Sequence, residues 1–212
     1  MKNSKKNYSR RIQAFLKRTF PRSLYPFFLF LRTYKNFKKK TNINKQLIKF
    51  SNNLNKINDY EFKITSQNNE DGIIDYIFKT IPNNKYFVEL GFGYYEFNSL
   101  NLIKNHWRGK LIDYNTEEFL ALKTNLNFYY PKSKIKLINS KIDRDNINDL
   151  VFFNETNKEI DFFSIDIDGN DYWVLDSMEL SNVKVVCCEY NHWLGAEKKI
   201  AMKYDPNFNF VD

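Results

Sequence analysis

Carboxylates are concentrated at the ends of the last two of five apolar runs in the sequence. Asp166 ends the fourth run, Asp168 lies two positions after it, and Glu189 lies near the end of the fifth run, close to His192. Carboxylates this close repel one another unless a cation, hydrogen-bond donors or solvent offset their charge. Asp166, Asp168 and Glu189 could bind a hard divalent ion such as Mg²⁺. Asp168, Glu189 and His192 could instead act as general bases, and His192 is the one whose ordinary pKa lies nearest neutral pH.

A second group of residues follows the first and second apolar runs. Gly91 and Gly93 form a Gly-x-Gly pair, which allows a tight turn and a close backbone approach to a ligand. Glu89 precedes the pair, and an acid there suits a cationic or hydroxylated ligand. Asp113 ends the second run, 22 residues after Gly91, where a carboxylate can accept both hydroxyl protons of a ribose. Tyr114 could stack on an adenine, whereas Asp113 could also serve only as a helix cap.

These residues need a sheet that brings the ends of separate strands together. The five apolar runs predict buried strands at residues 86–90, 110–113, 135–138, 160–166 and 183–190. Helix-compatible segments alternate with them, at residues 68–80, 97–105, 116–126, 146–153 and 171–178. This alternation predicts right-handed crossovers and a doubly wound α/β fold, with a mainly parallel sheet covered on both faces. Ligands of such sheets bind beyond the carboxyl ends of the strands, near the topological switch point.

Charge divides the 212 residues into two regions. Residues 1–50 hold 15 basic residues and no acidic one, whereas the remainder carries a net charge of −7. We therefore expect a basic helical extension over residues 1–58 and an α/β domain over residues 59–212. Residues 1–40 include a basic amphipathic stretch that could contact an anionic membrane surface or pack on the domain. No apolar run is long enough to span a bilayer, and no base-reading motif predicts a nucleic-acid partner.

The combination of motifs resembles the class I S-adenosylmethionine-dependent methyltransferases, and among them the FkbM type. The resemblance covers about residues 64–208. It rests on residues 66–72 (SQNNEDG), 87–93 (FVELGFG), 109–113 (GKLID), 160–169 (IDFFSIDIDG) and 184–191 (KVVCCEYN). It implies a Rossmann-like methyltransferase fold with S-adenosylmethionine as the cofactor. Methyl transfer to an oxygen, often on a sugar or a secondary metabolite, is the usual activity of that family.

The resemblance also implies roles for individual residues. The glycine turn would hold the methionine part of the cofactor, with Glu89 fixing the loop or the amine. Asp113 would bind the ribose, and Asp143, after the third strand, would lie near the adenine. Asp166 would face the methionine amine or the reaction centre. A base or a metal ion must then take the proton of the acceptor hydroxyl.

The sequence thus favours an O-methyltransferase that acts on a hydroxyl of a sugar, a glycan or a lipid-linked acceptor. The adjacent Cys187 and Cys188 fit a reducing compartment, so we expect the cytoplasm or the inner face of a membrane. Two alternatives are a non-catalytic or truncated methyltransferase-like binding module, and a metal-dependent glycosyltransferase that uses Asp166 and Asp168 as a DxD motif.

The resemblance further predicts a domain that is C-terminally incomplete. Relatives continue at this point into a further helix and two more strands, one of them antiparallel. We therefore expect a domain truncated before the last strands of its sheet. The apolar strand at residues 183–190 would then form an exposed edge, which favours a homo-oligomer.

Overall fold

A computed structural model shows the architecture of the chain and describes residue 37 and residues 56–93, 96–153, 159–190, 195 and 197–208. At its centre, five parallel strands form one sheet: β1 (Tyr86–Leu90), β2 (Arg108–Asp113), β3 (Ile135–Asn139), β4 (Ile160–Ile165) and β5 (Val183–Cys188). Their order across the sheet is β3-β2-β1-β4-β5. The predicted doubly wound α/β fold with a parallel sheet is confirmed.

The described helices alternate with the strands as the sequence predicts. They are α1 (Glu70–Thr80), α2 (Leu100–Lys104), α3 (Thr116–Tyr129), α4 (Ile147–Phe152) and α5 (Asp171–Ser177), and a short 3₁₀ helix (Ile57–Tyr60) precedes them. Helix α3 extends three residues beyond its predicted end. Within the described part of the chain, no helix has both the length and the apolar character that crossing a bilayer requires.

Burial decreases from the centre of the sheet to its two sides. Every residue of β1 and β4 is buried, because each of these strands has a neighbour on either side and helices above and below. Strands β3 and β5 lie at the two ends of the sheet and contain half-buried and exposed residues but no fully buried one. The prediction that all five strands are buried is therefore wrong for these two. On β5 the exposed positions include Val186 and Cys188.

Two hydrophobic clusters cover the two faces of the sheet. Phe87 and Phe162 belong to the first cluster, which also contains apolar residues of α1, α2 and α3. Val88 and Phe163, their neighbours in sequence, belong to the second cluster with residues of α4 and α5. Successive residues of a strand point to opposite faces, so the sheet is sandwiched between two helical layers. Phe37 is buried in the first cluster, and its carbonyl accepts a hydrogen bond from the Tyr130 hydroxyl at 2.8 Å.

The segment that leads into α1 is organised by one buried carboxylate. Oδ2 of Asp71 accepts hydrogen bonds from the backbone N–H groups of Ile64, Thr65 and Ser66, at 2.6–2.7 Å. A Cβ at Gly72 would lie 2.0 Å from the carbonyl oxygen of Tyr60, so only glycine fits beside the preceding 3₁₀ helix. Asp71 and Gly72, the last two residues of the SQNNEDG motif, therefore have structural roles in this fold.

Candidate functional site

The order of the strands creates a crevice at the carboxyl edge of the sheet. The chain passes outward from β1 to β2 and β3, and then returns to place β4 on the other side of β1. The connections leaving β1 and β4 thus diverge, and such a switch point is where doubly wound sheets bind ligands. Two backbone hydrogen bonds hold the rim of the crevice together: Gly91 N–H donates to the Ile112 carbonyl, and Asp166 N–H donates to the Leu90 carbonyl, each at 3.0 Å.

Gly91 begins the turn that leaves β1, and no other residue fits there. Its φ of +69° lies in the left-handed region, which side chains with a Cβ rarely adopt. A Cβ on Gly91 would also lie 1.8 Å from the carbonyl oxygen of Asp166. At Gly93 the nearest atom, the Glu96 carbonyl oxygen, would be 3.1 Å from a Cβ, which is tight but less restrictive. The first glycine of the pair therefore sets how closely the β1 and β4 loops approach.

Asp113 joins the end of β2 to the glycine turn. The Phe92 N–H donates to its Oδ2 at 3.0 Å, and the Asn115 N–H donates to its Oδ1 at 2.6 Å. Burial raises the pKa of Asp113 above its ordinary value, although these backbone hydrogen bonds oppose the shift. The cap of α3 is the side chain of Asn115, which accepts from the N–H groups of Glu117 and Glu118. The helix-cap alternative for Asp113 is therefore wrong.

Glu89 is buried beneath the glycine turn and does not reach the crevice. Its side chain accepts hydrogen bonds from Asn98 N–H and Ser99 N–H, both at 2.9 Å, and from the Ser99 hydroxyl. Burial raises the pKa of Glu89 to about 7 even though these donors favour the charged form. Its contacts connect β1 to the segment that starts α2, so Glu89 positions the loop from below.

Three of the predicted acidic residues lie together at the ends of β4 and β5. Carboxylate oxygens of Asp166, Asp168 and Glu189 come within 4.8 Å of one another. Burial, together with repulsion from Glu189 and Asp168, raises the pKa of Asp166 to about 7. Asp168 has a φ of +54°, in the left-handed region. Three carboxylates form a set of oxygen donors that fits Mg²⁺ or Mn²⁺.

The loop that carries Asp168 is held by a further carboxylate. Asp171, the first residue of α5, accepts hydrogen bonds from Ile167 N–H at 2.8 Å and Gly169 N–H at 2.9 Å. These two bonds fix the backbone on both sides of Asp168. The position of the acidic cluster therefore follows from the start of α5 as well as from the end of β4.

A cavity of about 520 Å³ lies at this edge of the sheet. Six residues predicted from the sequence line it: Gly91, Gly93, Asp113, Tyr114, Asp166 and Asp168. Eight further residues line it that were not predicted to do so: Phe92, Asn115, Glu118, Lys141, Ile142, Ile167, Asn170 and Phe208. A volume of this size is within the range of pockets that bind small molecules and cofactors.

Two predicted site residues do not line this cavity, in addition to Glu89. The carboxylate of Asp143 accepts from the N–H groups of Asp145 and Asn146, both at 2.9 Å, and so shapes the turn before α4. Its neighbours Lys141 and Ile142 line the cavity instead. Glu189 belongs to the acidic cluster but not to the lining. His192 lies outside the described residues.

No protein-family model matches the chain, and no curated protein matches it. The chemistry of the site is therefore inferred from its own residues. A buried carboxylate beside a glycine turn, two of the three acids of the cluster and several aromatic rings share one cavity. This set suits a ligand that has hydroxyl groups, positive charge and a planar ring.

Proposed function

We propose that this chain is an S-adenosylmethionine-dependent O-methyltransferase of the class I, FkbM type, with a Rossmann-like methyltransferase fold. Its acceptor would be a hydroxyl group of a sugar, a glycan or a lipid-linked molecule. One observation carries the proposal. Asp113 of β2 and the glycine turn of β1 meet at the cavity, with Phe92 N–H and Asp113 Oδ2 only 3.0 Å apart. A glycine turn and an acid on adjacent strands form the contact that a ribose-containing ligand needs.

The donor set of the cavity supports a nucleoside ligand. An ionised carboxylate can accept about four hydrogen bonds, and the two backbone donors on Asp113 leave it able to accept ribose hydroxyl protons. The exposed ring of Tyr114 is available to stack on a base. Asp166 places negative charge in the same cavity, where it favours a cationic amine or sulfonium. When bound, S-adenosylmethionine supplies a methyl group activated by positively charged sulfur.

The residues around Asp166 could also take the proton of the acceptor hydroxyl. A pKa of about 7 leaves the Asp166 carboxyl divided between its two protonation states near neutral pH, which suits a general base. Carboxylate oxygens of Asp168 and Glu189 lie within 4.8 Å of those of Asp166, and their negative charge helps to raise the pKa of Asp166. If the enzyme depends on a metal, these three carboxylates would hold Mg²⁺, which would stabilise the developing alkoxide.

Calorimetric titration with S-adenosylhomocysteine tests the proposal. We expect Asp113→Asn to weaken binding about 10- to 100-fold, because a hydrogen bond to a charged group contributes about 1.5–3 kcal/mol. Asp145→Asn is the matched control, since the Asp145 side chain is 83% exposed. Undetectable binding to the wild-type protein at millimolar ligand would reject the methyltransferase. Binding without transfer to any hydroxyl acceptor would favour the non-catalytic module.

The acidic cluster also favours a second candidate function. Asp166 and Asp168 bring carboxylate oxygens together in the arrangement that a DxD motif needs to bind a metal and a sugar nucleotide. A metal-dependent glycosyltransferase would bind a nucleotide sugar only with Mn²⁺ present. Titration of uridine diphosphate glucose with and without Mn²⁺ separates the two functions, because the methyltransferase needs no nucleotide sugar.

The proposal extends to where the protein acts. A net charge of +15 over residues 1–50 supports contact of residues 1–40 with an anionic cytoplasmic membrane surface. Flotation with anionic vesicles, with and without those residues, tests this contact, and equal flotation would reject it.

The exposed Val186 and Cys188 of β5 support a homo-oligomer through that edge of the sheet. A monomer in size-exclusion chromatography would contradict it.

A further inference from the structure

Residues 202–208, which we name the strap, are fastened to loops that follow two different strands. Asn170, after β4, donates its side-chain N–H to the Asp205 carbonyl at 2.8 Å. Lys141, after β3, donates its ammonium group to the Pro206 carbonyl. In the order of the sheet, β2 and β1 lie between β3 and β4. The strap thus bridges the two loops that flank the glycine turn and Asp113.

A third contact fastens the start of the strap to α5. The indole N–H of Trp173 donates to the Met202 carbonyl at 2.7 Å. The ring of Tyr204 lies 6.3 Å from the Trp173 ring, and the guanidinium of Arg144 lies 4.4 Å from the Tyr204 ring centre. The strap is therefore packed against the helical layer of α4 and α5 before it reaches the cavity.

A turn at the end of the strap directs Phe208 into the cavity. Phe208 N–H donates to the Asp205 carbonyl at 3.0 Å, and Asn207 N–H donates to the Asp205 carboxylate at 2.8 Å. The half-buried ring of Phe208 lies against Gly169, where an added Cβ would be only 2.6 Å from its Cε1. Gly169 has a φ of +124°, so glycine is needed there for both conformation and space. Phe208 itself lines the cavity.

We infer that the strap closes one side of the cavity and that Phe208 contacts the planar base of a nucleoside ligand. The closure follows from the contacts of Asn170 and Lys141, whereas the ligand contact rests on the proposed function. A phenylalanine ring offers an apolar face but no hydrogen-bonding atom, so it can recognise a ring by stacking and not a phosphate or a sugar hydroxyl. Phe208 is thus assigned as a ligand-binding residue and the rest of the strap as its support.

Hydrogen–deuterium exchange of the ligand-free protein tests the strap without any cofactor. We expect the amides of Asn207 and Phe208 to be protected in the wild-type protein and to exchange at least about tenfold faster in Asn170→Ala. The side chain of Asn170 makes no capping hydrogen bond to α5, so this variant should leave the helix intact. Asn182→Ala, at an exposed position before β5, is the matched control. Equal exchange in wild type and Asn170→Ala would overturn the strap.

Binding of S-adenosylhomocysteine tests the ligand contact. We expect Phe208→Ala to raise the dissociation constant about tenfold and Phe208→Tyr to change it by less than about threefold, as stacking of a base on an aromatic ring predicts. Phe128→Ala is the matched control, because the Phe128 ring is 66% exposed on α3 and does not line the cavity. Equal affinities of wild type and Phe208→Ala would overturn the contact and leave the proposed function intact. No binding by the wild type would overturn the contact together with the proposed function. The hydrogen-exchange experiment would still show whether the strap is held in place by Asn170.

Discussion

Glu89 gives the fold a specific dependence on pH. It is 3% exposed, and burial raises its pKa from an ordinary 4.5 to about 7. Between these two values the unfolded chain has released the proton while the folded protein still holds it. The free energy of unfolding therefore falls as pH rises through this window and is constant above it. In the variant Glu89→Gln this contribution is absent at every pH.

The magnitude follows from the size of the shift. Two and a half pKa units correspond to about 3.4 kcal/mol, of which about 2.5 kcal/mol develops between pH 5 and pH 8. Replacement by glutamine also removes one acceptor, because its amide nitrogen cannot accept from Ser99 N–H, and that loss costs about 1–3 kcal/mol at both pH values. The variant should therefore be the less stable protein at pH 5 and should gain about 2.5 kcal/mol relative to wild type by pH 8.

Urea denaturation of both proteins at pH 5 and pH 8 measures this difference directly. Asp166 also has a raised pKa, but it titrates in both proteins and largely cancels in the comparison. The free energy of unfolding should fall with urea concentration at the same slope in both proteins. Neither the substitution nor the change of pH alters the surface exposed on unfolding. The same stability gap at both pH values would show that Glu89 is not a buried, shifted carboxyl. The assigned role of Glu89 as an anchor of the loop would then lose its electrostatic basis.

Three further predictions concern the turn, the segment before α1 and the acidic cluster. Gly91→Ala should lower the free energy of unfolding by at least about 2 kcal/mol, because its Cβ meets the Asp166 carbonyl. In the same urea titration, Gly93→Ala should lower the free energy of unfolding by clearly less. Asp71→Asn should cost about 1–3 kcal/mol by weakening three backbone hydrogen bonds; thermal unfolding no different from wild type would contradict it. Mn²⁺ should raise the melting temperature of wild type more at pH 8 than at pH 6, because metal binding requires ionised carboxylates. It should leave the melting temperature of Asp168→Asn unchanged. An equal rise in that variant would exclude the cluster as the metal site.

The sequence predicted the sheet well because strand formation here depends on local apolar runs. All five strands and all five helices occur within a few residues of their predicted bounds. The partial exposure of β3 and β5 was not predicted, because it depends on which strands end the sheet, and that order is a property of the whole fold.

The candidate site was predicted where its residues end a strand or directly follow one. Asp113 is the last residue of β2 and Asp166 directly follows β4, and both line the cavity. Asp143 lies a few residues beyond β3, and a local turn there uses its carboxylate, so distance from the strand end was a better guide than residue type. Phe208 gave no signal in the sequence. It reaches the cavity through contacts such as that of Lys141 with the Pro206 carbonyl, which joins residues 65 positions apart.

The carboxylates of Glu89, Asp113 and Asp166 at the switch point differ in whether their oxygens are available to a ligand. This difference distinguishes a residue that supports the loop from residues that bind a ligand. Glu89 accepts from three donors of one segment and does not line the cavity, so its charge stabilises the loop. Asp113 and Asp166 line the cavity, where burial raises the pKa of each. A carboxyl that is costly to ionise without a ligand becomes easier to ionise when a cation or a hydroxyl donor occupies the cavity. A cationic ligand should thus displace protons from Asp113 and Asp166 as it binds, because its positive charge lowers the pKa of both carboxyls.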